Sequence, residues 1–200
     1  MRDLGIFIDS KLTFAEHINL MVAKAHRRAN QILRCFLSRD NEILVKAFVT
    51  YVRPILEYSS AVWSPHTVGM INSIESVQRR FTEKLCGMSF LTYDERCACL
   101  GLDRLELRRL QCDLITCFKI IHGFNCLKSE EFFTLCGVQT TRGHPFKLHV
   151  QHYRIDARKY FFSSRVVTIW NQLPAEVFNV VTVAAFVAKL RSCDLTRYLL

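Results

Sequence analysis

A chain of 200 residues, half of them hydrophobic, has the length and apolar content for one domain, or two small ones, around a real core. That composition excludes an intrinsically disordered chain, and no run nears the ~20 apolar residues that span a bilayer. The net charge of +9 and the isoelectric point near 9.2 point to a polyanionic partner, nucleic acid foremost; without a spanning run, no membrane is expected among the partners. Nine cysteines, an odd number, follow an amino terminus (Met1-Arg2-Asp3) without an apolar leader. The expectation is an intracellular protein with reduced thiols, with nucleus and cytoplasm not distinguished.

Leu4 to Ile8 is a short apolar run closed by Asp9-Ser10-Lys11, which reads as a strand. Standing alone, it is expected to pair with something outside the local sequence. Thr13-x-x-Glu16 has the form of a capping box and predicts a helix of about 22 residues. Its apolar stripe is Ile18, Met21, Val22, Ala25, Ala29, Ile32, Leu33 and Phe36; Lys24, Arg27, Arg28, Gln31 and Arg34 fall on the opposite side. Asp40 suits the N-cap of a second helix that leads into Tyr51–Pro65, the stretch around which the chain is organised. There Pro54 is expected to kink or restart the helix and Pro65 to stop it. Thr67 opens a third helix with Met70, Ile71, Ile74, Val77, Phe81 and Leu85 inward and Gly87 as its stop. Thr92-x-x-Glu95 starts a short helix ended by Gly101, and a longer one runs from Asp103 to His122 before Gly123.

Beyond Leu127 the pattern weakens. Thr140 to Pro145 reads as a loop, and the alternation from Phe146 to Ile155 as a second strand. Asp156 or Ala157 opens an amphipathic helix through Trp170, stopped before Leu173-Pro174, and Thr182 caps a last helix with Val183, Phe186, Leu190 and Cys193 inward. The expected fold is mainly α, with a helical bundle at 1–127 and a smaller α/β or helical region at 128–200.

Five segments, at Tyr51–Pro65, Asp3–Ile18, Ile74–Thr82, Leu105–Leu114 and Phe161–Pro174, together resemble the reverse transcriptases of non-LTR retrotransposons, the jockey-like and related LINE elements. Tyr51 to Pro65 (YVRPILEYSSAVWSP) resembles the segment that follows the palm in that family. Asp3 to Asp9 with Leu12, Phe14 and His17-Ile18 resembles the entry to its thumb. Ile74-Glu75-Ser76-Val77-Gln78-Arg79-Arg80-Phe81-Thr82, then Leu105-Glu106-Leu107-Arg108-Arg109-Leu110 with Asp113-Leu114, follow in the family's order. Phe161-Phe162-Ser163-Ser164-Arg165-Val166-Val167 and Trp170-Asn171-Gln172-Leu173-Pro174 complete it. The likeness implies the thumb and post-thumb region of an RNA-directed DNA polymerase, thumb-like in its first part. The fingers and palm, with their Mg²⁺-binding carboxylates, would lie upstream of Met1, so the sequence is expected to be a truncated or decayed reading frame or a partial gene model.

The residues themselves bear on that expectation. A two-metal polymerase site needs carboxylates around ions about 4 Å apart. There is no Asp-Asp pair, and Asp3 and Asp9 flank a strand that would hold them about 20 Å apart. They read as strand-end caps, so no catalytic residue, metal site or cofactor is assigned and the chain is expected not to polymerise alone. The basic face of the first long helix is the sharpest binding feature: Lys24, Arg27, Arg28 and Arg34 suit phosphates, which take charge without base specificity. Arg79-Arg80 and the set Arg104, Arg108 and Lys119 are secondary candidates. The partner expected from the resemblance is RNA, DNA or an RNA–DNA hybrid. Two rival readings are a helical protein-interaction module, which could dock on a palm-containing polypeptide, and a translated relic without function. The cysteines lack paired zinc-ligand spacing and read as small buried thiols, and His144, His149 and His152 read as surface polar residues. Tyr160 and Arg165 lie off the core stripe of their helix, where they could face RNA.

Overall fold

The computed structural model describes residues 1–137 and 144–199. Among these residues the fold is mainly α, with eleven α-helices and one two-stranded sheet. The chain divides into two compact units, Met1–Arg108 and Arg109–Leu200. The division falls inside a helix, and the expected boundary at 127/128 lies within the second unit. Most of the expected Thr140–Pro145 loop, up to Gly143, lies outside the described residues.

The first unit opens with a hairpin. Strand β1 (Arg2–Asp3) pairs antiparallel with β2 (Ile6–Phe7), Arg2 opposite Phe7 and Asp3 opposite Ile6. The expected lone strand is therefore a strand that finds its partner two residues upstream. Leu4 and Gly5 form the turn with φ of 43° and 89°, the pair of positive values that a two-residue hairpin turn requires. Hydrogen bonds in both directions between Met1 and Ile8 close the ladder. The extended separation of Asp3 and Asp9 disappears with the single strand.

Helix α1 (Ala15–Cys35) does not start on the expected capping box. Its N-cap is Phe14, in the left-handed region, and Asp9 serves the turn instead. The Asp9 carboxylate accepts from the backbone of Lys11, Thr13 and Phe14 and from the Thr13 hydroxyl, at 2.7–3.0 Å. Those bonds hold its carboxyl below the usual range, the Thr13 amide contributing most. The inward stripe is the expected one: Ile18, Met21, Val22, Ala25, Ala29 and Ile32 are all buried.

Helix α2 (Asn41–Tyr51) is capped by Asp40, whose carboxylate accepts from Glu42 N at 2.8 Å. Pro54 occupies the first turn of α3 (Arg53–Glu57), where its missing donor costs nothing. The restart at proline is thus as expected, and α4 (Ser60–Trp63) ends before Pro65. Trp63 is buried; its indole donates to Tyr58 O at 2.8 Å and fixes the turn between α3 and α4. Helix α5 (Val68–Glu83) lies along α1, with Ile74, Val77 and Phe81 in a common core. Phe81 stacks on Phe48 of α2 at 4.5 Å. Helix α6 (Tyr93–Leu100) has the full Thr92/Glu95 capping box and ends at Gly101, φ 62°. Helix α7 (Leu105–Ile121) crosses from the first unit into the second.

In the second unit a short α8 (Ser129–Phe132) precedes an isolated bridge between Leu135 and Leu148. That bridge stands where the sequence suggested a strand over Phe146–Ile155. The expected single helix from Asp156 to Trp170 is two helices, α9 (Asp156–Lys159) and α10 (Phe162–Gln172), separated at Tyr160-Phe161. Phe162 and Trp170 are buried. A 3-10 turn (Ala175–Phe178) and α11 (Val183–Arg191), capped by Thr182, cover the aromatic core. Phe118 stacks on Phe186 at 4.1 Å, and His144 on Phe178 at 3.8 Å. His144 is therefore a core residue, not a surface one, while His149 and His152 are exposed as expected.

Candidate nucleic-acid interface

Because the apolar residues of α1 point inward, its cations are left outward. Lys24, Arg27, Arg28 and Arg34 are all exposed and form no ion pair among the described residues. The only acid in the first turn is Glu16. At 1.5 Å per residue these cations cover about 15 Å of helix, comparable to about four phosphate steps of one strand. Helical periodicity puts Lys24 and Arg28 toward α3, and Arg27 and Arg34 toward α5.

Helix α5 extends this face. His26 lies 3.3 Å from the Ser76 hydroxyl, and Lys84 Nζ donates to Asn30 Oδ1 at 3.3 Å. Lys84 is thereby seated against Asn30 of α1, and Arg80 and Lys84 both act on His26 of the same helix. Burial first, then the charges of Arg80 and Lys84, push the His26 imidazole below its ordinary pKa. The two neighbouring arginines diverge. Arg80 joins the α1 side, whereas the Arg79 guanidinium lies over the Tyr93 ring at 5.2 Å. Lys84 was not among the sequence candidates; its four-residue spacing from Arg80 was the available signal.

Arg104 and Arg108 are placed differently. Arg104 makes a bidentate pair with Asp94 at 2.6–2.8 Å. Arg108 grips Glu57 with two nitrogens, and Arg53 reaches the same carboxylate at 3.2 Å. Their charge is matched within the first unit. Lys119 is half-buried on α7.

Polar residues of the resembling segments bond within their own units. Glu75, buried on α5, accepts from the backbone of Leu105 and Glu106 at 3.0 and 3.2 Å and so caps α7. Tyr93 also donates to Glu75, and burial with that carboxylate beside it drives the phenol far up. Gln78 joins Tyr93 to Asp103 O. In the second unit Arg165 holds the buried Asp113 at 2.9 and 3.0 Å and donates to Tyr160 O at 3.1 Å, so it turns inward instead of presenting its charge outward. Burial pushes the Asp113 carboxyl up against the pull of Arg165. Asn171 bonds both N and O of Leu148, at 2.8 and 2.7 Å. These side chains are scaffold, and the exposed cations of α1 and α5 lie outside it.

Among the described residues no group of three or more His, Cys, Asp or Glu is placed to hold a metal ion, and Asp9, Glu57, Glu75 and Asp113 are all engaged. The residues present do not fit a two-metal centre. The cysteines are free; Cys97 and Cys117 are buried, but Cys35, Cys86, Cys99, Cys112 and Cys126 are exposed, so the buried-thiol reading holds for two of them only. No described helix is long and apolar enough to cross a membrane. Beside the basic face, an apolar cleft of about 460 Å³ opens between the hairpin, α1 and α3, lined by Phe7, His17, Leu20, Lys24 and Tyr58.

No protein-family model matches this chain. No solved structure matches it either. Among curated proteins it is similar to an uncharacterized protein of Caenorhabditis elegans, 29% identical over 126 residues. The match covers 62% of this chain and 64% of the relative's length, so it spans less than two thirds of that protein.

Proposed function

We propose that this chain is the thumb and post-thumb part of a non-LTR retrotransposon reverse transcriptase, and that it grips the backbone of RNA, DNA or their hybrid. The observation that carries the grip is the face built by Lys24, Arg27, Arg28 and Arg34 of α1 with Arg80 and Lys84 of α5. Cations that form no ion pair among the described residues are available to release counterions from phosphates, which is the source of sequence-independent affinity. The polymerase family itself rests on the five resembling segments, and their polar residues serve the fold of each unit. The chain's own role in that reading is to hold nucleic acid rather than to supply the metal-bound carboxylates.

Binding of the purified chain to a labelled RNA–DNA hybrid tests the grip. Arg27→Glu combined with Arg28→Glu is expected to weaken binding at least tenfold and to reduce the salt slope by about two. Unchanged affinity in a folded double variant would remove the grip from α1.

A second reading is favoured by the cleft beside the hairpin, whose lining is largely apolar. It suits an apolar segment of a protein partner, a palm-containing polypeptide in the resembled family. Such docking strengthens with apolar burial and resists salt, opposite to phosphate binding. A lone unpaired strand no longer argues for it, since β1 supplies the partner of β2.

A further inference from the structure

The geometry points to a second binding site, for the unpaired bases of a single-stranded nucleic acid, on the Tyr153–Arg158–Phe161 stack of the second unit. The Arg158 guanidinium carbon lies 5.2 Å from the Tyr153 ring centre and 5.4 Å from that of Phe161, so a planar cation sits against two aromatic rings. The stack is at the surface: Arg158 is exposed, Phe161 is 38% exposed and the neighbouring Ile155 is 71% exposed. Rings and guanidinium planes of this kind are what bases stack on, whatever their sequence.

Three exposed cations, Arg154, Arg158 and Lys159, fall within six residues of chain against one acid on α9, Asp156, and the Lys159 ammonium lies 5.1 Å from the adjacent Tyr160 ring centre. None of the three forms an ion pair among the described residues. A polyanionic strand is the charge-complementary occupant, and the rings select for one whose bases are unpaired.

The stack is also braced. Arg158 N and Lys159 N both donate to Ile155 O at 3.0 Å, which closes α9 as a single turn. Arg165 Nη1 anchors that turn through Tyr160 O at 3.1 Å, and Arg165 is itself held by buried Asp113. The break between α9 and α10 thus sets Arg158 and the Phe161 ring on a braced turn, which lowers the ordering cost of binding. This site goes beyond the grip proposed for α1 and α5 and stands on separate residues.

The test compares an oligouridine with an abasic sugar–phosphate strand of equal length, each titrated with the full chain. The oligouridine is expected to bind about tenfold tighter or more. Arg158→Ala is expected to abolish that ratio. Arg158→Lys, which keeps the charge and loses the plane, is expected to remove most of it while sparing abasic-strand binding. Arg27→Glu with Arg28→Glu is expected to leave the ratio intact, so failure of the α1 grip and failure of this site read differently. Equal affinity for the two strands, a ratio unchanged in Arg158→Ala, or a preference for anionic lipid vesicles over both strands would overturn the proposal. Where Arg158→Ala does not fold, a ratio unchanged in Arg158→Lys overturns the proposal in its place.

Discussion

Asp113 shows how the residue scale separates what a sequence displays from what it hides. A carboxylate inside an apolar helix face is costly unless paired, and its partner, Arg165, lies far along the chain. The motif positions flagged both residues, but only the fold joins them, and so Arg165 read as a candidate for facing RNA. Asp113→Ala removes the buried carboxylate that Arg165 grips and is expected to cost about 3–5 kcal/mol, measurable as a lower denaturant midpoint. His144 was misread for a related reason. It stands between Gly143 and Pro145 in a stretch that reads as a loop, while its packing partners Phe178 and Trp170 come from later elements. Its Nε2 lies 3.0 Å from Trp170 O, so the neutral ring donates there. Burial holds the pKa of His17, His26, His122 and His144 below 6.5. The unfolded chain therefore binds protons that the folded chain does not. Stability from these residues is present above pH 6.5 and is lost as pH falls below it. Thermal midpoints are expected to drop between pH 7.5 and 5.5, and His144→Phe is expected to narrow that drop. A midpoint independent of pH over this window would contradict the burial of these rings.

At the scale of elements, legibility follows locality. The caps at Asp40, Thr92/Glu95 and Thr182 are each chemistry within four residues, and all three were readable. The Thr13/Glu16 box failed because Asp9, slightly further off, makes four bonds to the same turn. The hairpin was hidden because Leu4 occupies a left-handed position that leucine seldom takes, so the run Leu4–Ile8 looked continuous. Leu4 is also 82% exposed. Leu4→Asn, which tolerates that conformation, is expected to raise stability by up to about 1 kcal/mol in equilibrium unfolding. A loss of stability would argue against the turn. The basic face of α1 was readable because helical period alone separates it from the core stripe. Its continuation onto α5 was not, since it depends on the packing that sets Lys84 beside Asn30.

For the whole molecule, the net charge of +9 is a poor guide until the internal pairs are removed. Arg104, Arg108 and Arg165 meet carboxylates, and part of the exposed remainder is gathered on α1 and α5. An electrostatic grip has a defined signature. Its affinity falls steeply and linearly with salt on logarithmic axes, with a slope set by the number of phosphates neutralised. Docking through an apolar cleft lacks that slope. The measurement that tests this account most directly is therefore the affinity of the chain for an RNA–DNA hybrid across a salt series, with the Arg27→Glu, Arg28→Glu variant in parallel. The account predicts a steep slope, shallower by about two in the variant, with at least a tenfold loss of affinity. A folded chain that does not bind the hybrid, or binds it independently of salt and of these two arginines, would contradict it.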